Sequence, residues 1–386
     1  MAELLNLGSI LHMEKGKKPI AQTKEPLEGY LPYVDIKAFE QGVIDSYASV
    51  EKSLLCEDGD LLIVCDGSRS GLTGYAIRGV VGSTLSKISA DGLNTKYLRY
   101  FIQSKYSLLN TRKKGTGTPH LDVNILRESM IAVPSPLEQE RIVARIEELF
   151  SQLDASVAEL KTAKERLKVY RQAVLKEAFE GDYPQVQLKE ISTAISGYAF
   201  KSKLYTSDGK YIVVKIGNVK ERHFEFSRDL TRTNEADETI LDKYLLQRGD
   251  CLITLTGSRG KRDYGFVTMI KDQTNYLLNQ RVAAIRFNRK EAIPEFFQYY
   301  LASPSYRSAF FRYETGNVGQ GNIGIKALTE PIVILPNIEQ QWRIVEEIES
   351  RLSVCDSIEK TVDTALQQAK ALQQSILKKA FEGRLL

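Results

Sequence analysis

Two long stretches of the chain carry apolar residues at steps of three and four, the spacing of one face of an α-helix. Neither stretch contains an internal glycine or proline, and Gly181 and Gly383 stand where such helices are expected to stop. The pattern predicts two helices, the first over residues 138–180 and roughly 65 Å long. The first stripe is Ile142, Ile146, Leu149, Leu153, Val157, Leu160, Ala163, Leu167, Tyr170, Val174 and Ala178, and the second is Ile344, Ile348, Leu352, Cys355, Ile358, Val362, Ala365, Ala369, Leu372 and Ile376.

The two helical stretches are copies of one another. Residues 134–181 recur as residues 336–383 without a gap, and 19 of the 48 aligned positions are identical. A repeat at a fixed offset indicates a duplicated structural unit. Since a long helix with one apolar stripe cannot bury it alone, we expect the two copies to pair as an antiparallel coiled coil. The alternative is that each helix packs on its own globular module.

The two remaining segments, 1–133 and 182–335, are related more loosely. Short apolar runs at 61–65 and 251–255 follow Gly-Asp turns at an offset of 190 and indicate buried strands, as do 213–216 and 282–287. Aromatic stretches at 97–102 and 295–301 predict short helices packed on a sheet. We therefore predict a mixed α/β fold for two globular modules (residues 1–133 and 182–335), joined by two long helices (134–181 and 336–386), with an internal two-fold pseudo-repeat.

Composition places the chain among ordinary globular proteins. At 386 residues it exceeds what one hydrophobic core usually serves, so two or more domains are expected. Four cysteines without metal-binding spacing are expected to be reduced thiols. The N-terminus lacks the features of a secretory signal, and no apolar run reaches about 18 residues, so the sequence predicts a cytoplasmic protein.

The sequence lacks the familiar catalytic motifs. It contains no GxxxxGK[ST] phosphate loop, no HExxH and no GxSxG, and its three histidines, His12, His120 and His223, are not spaced for a metal or a triad. It also contains no Asn-Pro-Pro-Tyr-like tetrapeptide of the kind that adenine methyltransferases use. We therefore expect no intrinsic catalysis and no cofactor on this chain.

Basic, glycine-rich loops are the candidate functional elements. The net charge is +4, and residues 181–330 alone carry +5. Residues 67–71 and 257–262 follow predicted strands, where arginine could contact guanine or a phosphate; the alternative is a turn with its arginine in water. Glycine-rich loops at 115–118 and 316–322 could bring backbone N–H groups to a phosphate or serve as connectors. The candidate DNA-binding residues are Lys17, Lys18, Ser68, Arg69, Arg112, Lys113, Lys114, His120, Ser258, Arg259, Lys261, Arg262, Arg312, Asn317, Gln320 and Asn322.

Taken together, these residues resemble the specificity subunit of type I restriction-modification systems. The resemblance lies in the helix starts at 134–143 and 336–345, the Ala-Phe-Glu-Gly endings at 178–181 and 380–383, the Gly-Asp-x-Leu-Ile strand starts and the glycine-rich loop before each helix. It covers the full length in the order variable, helical, variable, helical. One departure is that Gln340 stands where the first copy has Glu138.

The resemblance implies a chain without catalysis of its own, in which two target-recognition domains each read half of a split DNA site. The paired helices would act as a ruler and dock two modification subunits, with Gln139, Arg141, Gln341 and Arg343 at the docking surface. Those subunits would carry S-adenosylmethionine, and restriction subunits would add ATP- and Mg-dependent chemistry. Two other hypotheses remain, an interaction scaffold with two protein- or ligand-binding modules and a self-contained DNA enzyme.

The ruler hypothesis makes a testable prediction. Inserting four residues near residues 161–164 would lengthen the first helix by about 6 Å and keep its apolar stripe nearly in phase. Sequencing of the methylated sites should then show a changed spacer between two unchanged half-sites. Changed half-sites would show that the helices are not a ruler.

Overall fold

The computed structural model describes residues 3–112, 119–226, 230–234, 236–272, 275–317 and 319–385. The chain divides into two compact units. Unit 1 comprises Met1–Lys161 and Asp363–Leu386, and unit 2 comprises Thr162–Val362. Each unit therefore combines one globular module with parts of two long helices.

The first module consists of eleven short strands and four short helices among the described residues. They are β1 (Glu3–Asn6), β2 (Leu11–Lys15), β3 (Gln22–Thr23), β4 (Tyr30–Val34), α1 (Ile36–Gln41), β5 (Tyr47–Ser49), β6 (Leu55–Cys56), β7 (Leu61–Val64), β8 (Thr73–Tyr75), β9 (Gly79–Val81), β10 (Leu85–Ala90), α2 (Thr95–Ser104), α3 (Tyr106–Thr111), α4 (Val123–Arg127) and β11 (Met130–Val133). The long helix α5 (Pro136–Ala178) follows.

The second module repeats this order with insertions. Its elements are β12 (Gln185–Gln187), α6 (Leu188–Ile191), β13 (Ser192–Ser196), β14 (Tyr205–Thr206), β15 (Tyr211–Val214), β16 (Val219–Lys220), β17 (His223–Phe224), β18 (Arg232–Thr233), α7 (Glu238–Tyr244), β19 (Cys251–Thr254), β20 (Thr256–Ser258), β21 (Val267–Met269), β22 (Tyr276–Leu278), β23 (Val282–Phe287), α8 (Pro294–Ala302), α9 (Pro304–Phe311), β24 (Gln320–Asn322) and β25 (Ile332–Ile334). The second long helix, α10 (Ile338–Phe381), ends the fold.

One antiparallel four-stranded sheet recurs in both modules, in the order β2-β10-β7-β8 in the first and β13-β23-β19-β21 in the second. One inner strand of each sheet, here called the central strand (β7 in the first module and β19 in the second), is buried on both faces. In β7, Leu61 and Ile63 join the core beneath α2, whereas Leu62 and Val64 join a smaller core on the opposite face. Burial on both faces explains why these strands are continuously apolar. The predicted strands, short aromatic helices and mixed α/β class are confirmed.

The Gly-Asp turn before each central strand is structural. Gly59 and Gly249 adopt φ values of +86° and +91°, which glycine accepts without steric cost. Asp60 accepts a hydrogen bond from Glu57 N at 2.8 Å, and Asp250 accepts the equivalent bond from Gln247 N at 2.8 Å. The carboxylate of Asp250, 1% exposed, also pairs with Arg286 through two 2.8 Å bonds.

The long helices pack together in antiparallel fashion, as predicted. In unit 1 the start of α5 shares a core with the end of α10, including Ile146 and Leu377. In unit 2 the end of α5 shares a core with the start of α10, including Val174 and Ile348. Glu177 pairs with Arg351 at 2.7 Å in that second region. The left-handed Gly383, with φ +70°, follows the end of α10 as expected.

The buried seam follows a strict seven-residue repeat, typical of coiled coils. In α5 it comprises Gln139, Ile146, Leu153, Leu160, Leu167 and Val174, with Val143, Phe150, Val157, Lys164, Arg171 and Ala178. In α10 it comprises Gln341, Ile348, Cys355, Val362, Ala369 and Ile376, with Val345, Leu352, Glu359, Leu366, Gln373 and Ala380. Each of these residues is buried or half-buried.

Three apolar residues assigned to the stripe from the sequence are instead exposed. Tyr170, Ile358 and Leu372 are 48%, 44% and 50% exposed, and their assignment to the seam was wrong. The seven-residue frame passes through the neighbouring Arg171 and Glu359, which form an ion pair at 2.9 Å. The apolar pattern placed the seam one residue earlier, at Tyr170 and Ile358. Because the opposite charges of Arg171 and Glu359 pair with each other, these polar side chains can occupy the seam instead.

A buried glutamine attaches each module to the start of a helix. Gln139, 1% exposed, accepts a hydrogen bond from Asn94 N at 2.7 Å and donates to Gly92 O at 2.8 Å and Pro134 O at 3.0 Å. In unit 2 the buried Gln341 makes the equivalent bonds: it accepts from Ile293 N at 2.9 Å and donates to Glu291 O at 2.8 Å and Pro336 O at 2.7 Å.

A phenylalanine attaches each module to the end of the other helix. Phe381 of α10 packs edge-on against Tyr97 and Phe101 of α2, with ring centroids 5.1 and 5.3 Å apart. Phe179, just after α5, packs in the same way against Phe296 and Tyr300 of α8, at 5.4 and 5.1 Å. The Ala-Phe-Glu-Gly repeat thus encodes a second joint in each unit.

Replacing Gln139 with alanine should destabilise unit 1 by about 3 kcal/mol, because it leaves one buried N–H and two carbonyls without their partner. Chemical denaturation of the purified chain would measure the loss. Arg141→Ala, two residues away and exposed, is the matched control and should change the free energy of unfolding by less than about 0.5 kcal/mol. Equal effects of the two variants would contradict a structural role for the glutamine.

Candidate nucleic-acid interface

In unit 2 the two predicted glycine-rich loops, at 257–262 and 316–322, are joined by a short two-stranded sheet. Strands β20 and β24 pair antiparallel, with Ser258 opposite Gln320 and Thr256 opposite Asn322. Arg259 N donates to Gly319 O at 3.4 Å, and its Nη1 donates to Gly316 O at 3.1 Å. Two loops about 60 residues apart in sequence are thereby joined directly after β19.

Unit 1 builds the same junction from different residues. Asp66 and His120 form an antiparallel bridge, and Gly67 N donates to Pro119 O at 2.8 Å. The bridge is equivalent to that between Thr256 and Asn322, because Asp66 is displaced from Thr256 by 190 positions and His120 from Asn322 by 202, as in the flanking repeats. The predicted relationship between the modules therefore extends to the candidate sites.

The turn after β20 is held by a carboxylate. Asp263 accepts from Ser258 N at 2.6 Å and from Ser258 Oγ at 2.9 Å, and these bonds lower the pKa of Asp263. A Cβ on Gly257 would lie 2.6 Å from Asp263 Oδ1, so only glycine fits there. Arg262, with a φ of +48°, stacks its guanidinium 4.9 Å from the ring centre of Phe311. The loop is therefore held by a carboxylate at its start and by an aromatic ring at its end.

The two candidate arginines on the strand-end loops are held beside carboxylates yet keep exposed guanidinium groups. Arg69 forms an ion pair with Glu40, and Arg259 lies 3.9 Å from Glu314. Their side chains are 53% and 48% exposed, against 26% and 11% for the two acids. A carboxylate that orients an arginine while leaving it accessible favours binding of a second acceptor, such as a base edge or phosphate.

The other candidates are spread around these junctions. Lys17 and Lys18 are exposed just beyond β2, whose last residue, Lys15, pairs with Asp66 at 2.9 Å. Arg112 and Arg312 are exposed at the C-terminal ends of α3 and α9. Ser68 O accepts from Asn110 Nδ2 at 2.9 Å. Lys261, Asn317, Gln320 and Asn322 are exposed, and Lys113 and Lys114 lie outside the described residues.

The structure alters the set of partner-binding candidates. Gln139 and Gln341 are 1% and 0% exposed, and their amides are fully used inside the chain. They offer no surface to a partner, so their assignment to a docking surface was incorrect. Arg141 and Arg343 are exposed, and Arg343 pairs with Glu339 at 3.3 Å. For these two arginines, partner binding stays a prediction.

Sequence reasoning missed two basic residues at a groove beside the β20–β24 pair of unit 2. Lys220 and Arg281 border it together with Ser258 and Gln320. Leu255 N donates to Arg281 O at 3.0 Å, which fixes Arg281 beside the strand-end loop. Arg281 directly precedes the buried strand β23, so a search for basic residues at every strand end would have found it. Only the tertiary fold brings Lys220, in β16, to this groove.

The described residues also set bounds on other chemistry. Across the ranges that the structure covers, no cluster of three or more His, Cys, Asp or Glu side chains is arranged to hold a metal ion. Within the same ranges, every helix is too short or too polar to cross a membrane. All four cysteines are buried and unpaired.

Comparison with known proteins agrees with this arrangement. The type I restriction enzyme MjaVIII specificity subunit of Methanocaldococcus jannaschii is 27% identical over 372 residues, covering 90% of this chain and 85% of its own length. The EcoBI specificity subunit of Escherichia coli is 24% identical over 385 residues, covering 92% and 80%. A solved chain, from work on complex assembly and conformational transition of the type I R-M system, shares the fold with a TM-score of 0.73 at 19% identity and covers 99% of this chain and 98% of its own.

A family model decides the assignment. The model of the type I restriction modification DNA specificity domain matches twice, at residues 2–165 and 180–368. Each match contains one globular module and most of the long helix that follows it. The chain therefore belongs to the type I restriction-modification DNA specificity family.

Proposed function

We propose that this chain is the DNA-reading subunit of a type I restriction-modification enzyme and that each module reads one half of a bipartite DNA site. The observation that carries the proposal is the equivalent junction in the two modules. The Asp66–His120 bridge in the first module and the β20–β24 pair in the second hold equivalent loops together at equivalent places in the sequence. The framework is shared whereas the exposed side chains differ, as expected of two modules that recognise different sequences.

The chemistry of each junction suits a DNA groove. Arginine can donate two hydrogen bonds to guanine, and asparagine and glutamine can bond adenine in the same bidentate way. Arg69 in one module and Arg259, Gln320 and Asn322 in the other are exposed and supply these groups. Lysines such as Lys17 and Lys220 would contact phosphates and supply affinity that falls with salt.

The division of labour follows from this assignment. The chain itself would be non-catalytic and cytoplasmic and would carry no cofactor. Two modification subunits would dock on it, bring S-adenosylmethionine and methylate adenine, and two restriction subunits would add chemistry dependent on ATP and Mg. The exposed Arg141 and Arg343 near the helix starts support docking of a partner at those two related places.

Single-molecule sequencing of host DNA, with this gene intact and deleted, tests the proposal. We expect N6-methyladenine at a gapped, two-part motif, and we expect it to vanish on deletion because the modification subunits would then have no sequence reader. Complementation with the intact gene is the control. Absence of such a motif, in cells that express the chain and a neighbouring methyltransferase, would reject the proposal and favour an interaction scaffold.

The two modules should also be separable by mutation. Arg69→Ala should weaken discrimination in one half-site and Arg259→Ala in the other, each by about tenfold, since a bidentate arginine contact contributes roughly 1–3 kcal/mol. Binding of the assembled modification complex to a panel of single-base variants would measure this. Lys189→Ala, an exposed cation paired with Glu330 at 3.6 Å, is the matched control. Loss in the same half-site for both arginine variants would contradict one module per half-site.

A further inference from the structure

In unit 1 one carboxylate ties together three segments at the recognition junction. Asp66 Oδ1 contacts His120 Nδ1 at 2.7 Å, and Asp66 Oδ2 accepts from Lys15 Nζ at 2.9 Å. The Asp66 side chain is only 16% exposed, whereas that of His120 is 54% exposed. Asp66 thus holds the end of β2, the loop after β7 and the segment that carries His120, while the imidazole stays accessible.

The carboxylate determines which nitrogen of His120 faces outward as an acceptor. Burial raises the pKa of Asp66, but the hydrogen bonds from Lys15 and His120 outweigh it, so the pKa lies below its ordinary value. An ionised Asp66 can only accept, and therefore the proton of a neutral His120 resides on Nδ1. The other nitrogen, Nε2, then carries a lone pair and can accept a hydrogen bond.

His120 occupies the position equivalent to Asn322, a candidate base-reading side chain of the other module. Its bridge to Asp66 is equivalent to the bridge between Thr256 and Asn322 in the other module. Asparagine is a side chain that reads adenine, and here histidine occupies the corresponding place. The exposed Ser68 and Arg69 follow Asp66 within three residues, so His120 stands beside the main candidate loop of its module.

We propose that His120 reads an exocyclic amino group in the DNA major groove, adenine N6 or cytosine N4, with Nε2 as the acceptor, and that Asp66 is the positioning residue that fixes this tautomer. The inference rests on the proposed function, since it names one specificity contact of the first module. It assigns a direction to the hydrogen bond, from base to protein. A phosphate and the major-groove edge of guanine offer only hydrogen-bond acceptors. Neutral His120 would therefore bind neither of them through Nε2.

Charged side chains from β2 and from the loop after β7 meet at this pair. Lys15 approaches Asp66 from β2, and Asp66 approaches His120 from the loop after β7. Protonation of the ring would turn Nε2 from an acceptor into a donor and would abolish the contact with an amino group.

The test uses the assembled modification complex and a DNA panel in which every base pair of the first half-site is varied. At each adenine or cytosine the panel also includes an analogue without the exocyclic amino group. The variants are His120→Phe, which keeps an aromatic ring but removes both nitrogens, and Asp66→Asn. We expect wild type to lose about tenfold in affinity for one analogue, and His120→Phe to bind that analogue and the parent DNA equally well.

Asp66→Asn should relax preference at the same base pair, because an amide can donate as well as accept and no longer fixes the tautomer. Matched controls are His12→Phe and Asp91→Asn, a second exposed pair with a 2.9 Å contact at the opposite end of β2. Neither control should change the preference at any base pair.

Three outcomes would overturn the inference. Wild type could bind every analogue as well as its parent, His120→Phe could weaken all DNA equally, non-specific DNA included, or the controls could act like the two test variants. If Asp66→Asn fails to fold, the His120→Phe and analogue comparison decides alone. A wild-type complex with no two-part site would instead reject the proposed function, so the two failures are distinguishable.

Discussion

The double attachment of each module to the helix pair is the constraint on which the rest of the structure depends. In each unit a buried glutamine fixes the start of one long helix and a phenylalanine fixes the end of the other, Gln139 and Phe381 in unit 1 and Gln341 and Phe179 in unit 2. An antiparallel pair is what allows one module to receive the start of one helix and the end of the other. The repeated helical sequence therefore encodes the attachment of the modules as well as the pairing of the helices.

Polar residues within the seam give that pairing a defined register. Arg171 meets both Asp356, at 2.7 Å, and Glu359, at 2.9 Å, and Lys164 lies 3.4 Å from Glu359. A shift along the seam would separate the half-buried Arg171 from Glu359 and leave both charges less well compensated. Apolar seam residues contribute stability, whereas this charge group penalises alternative registers. The joints at the helix ends require such a penalty, because a slipped pair would separate Gln139 from Phe381.

The sequence predicted the parts of this fold that follow from local periodicity and from repetition. The two helices, their antiparallel pairing and the buried strand β23 were predictable, since helical periodicity, fixed offsets and apolar runs are properties of the sequence itself. The exposure of Tyr170 was not, because the apolar pattern could not show that the adjacent Arg171 would find Glu359 across the pair. The internal role of Gln139 was equally hidden, since its partners are backbone atoms of Gly92, Asn94 and Pro134. At the recognition junctions the loops were predictable, but their association required the tertiary fold.

The backbone pairing at each junction explains how the two modules could diverge while their shared framework persisted. A bridge residue such as His120 or Asn322 uses its backbone to hold two loops together and its side chain to face outward. Backbone pairing tolerates most side chains, so the outward group can change without loss of the junction. Other residues orient the outward group through hydrogen bonds, as Asp66 does for His120 and Asp263 for Ser258. Under the proposed function, specificity would reside in pairs of residues, one that faces the DNA and one that orients it, carried on a framework which the helix joints hold constant.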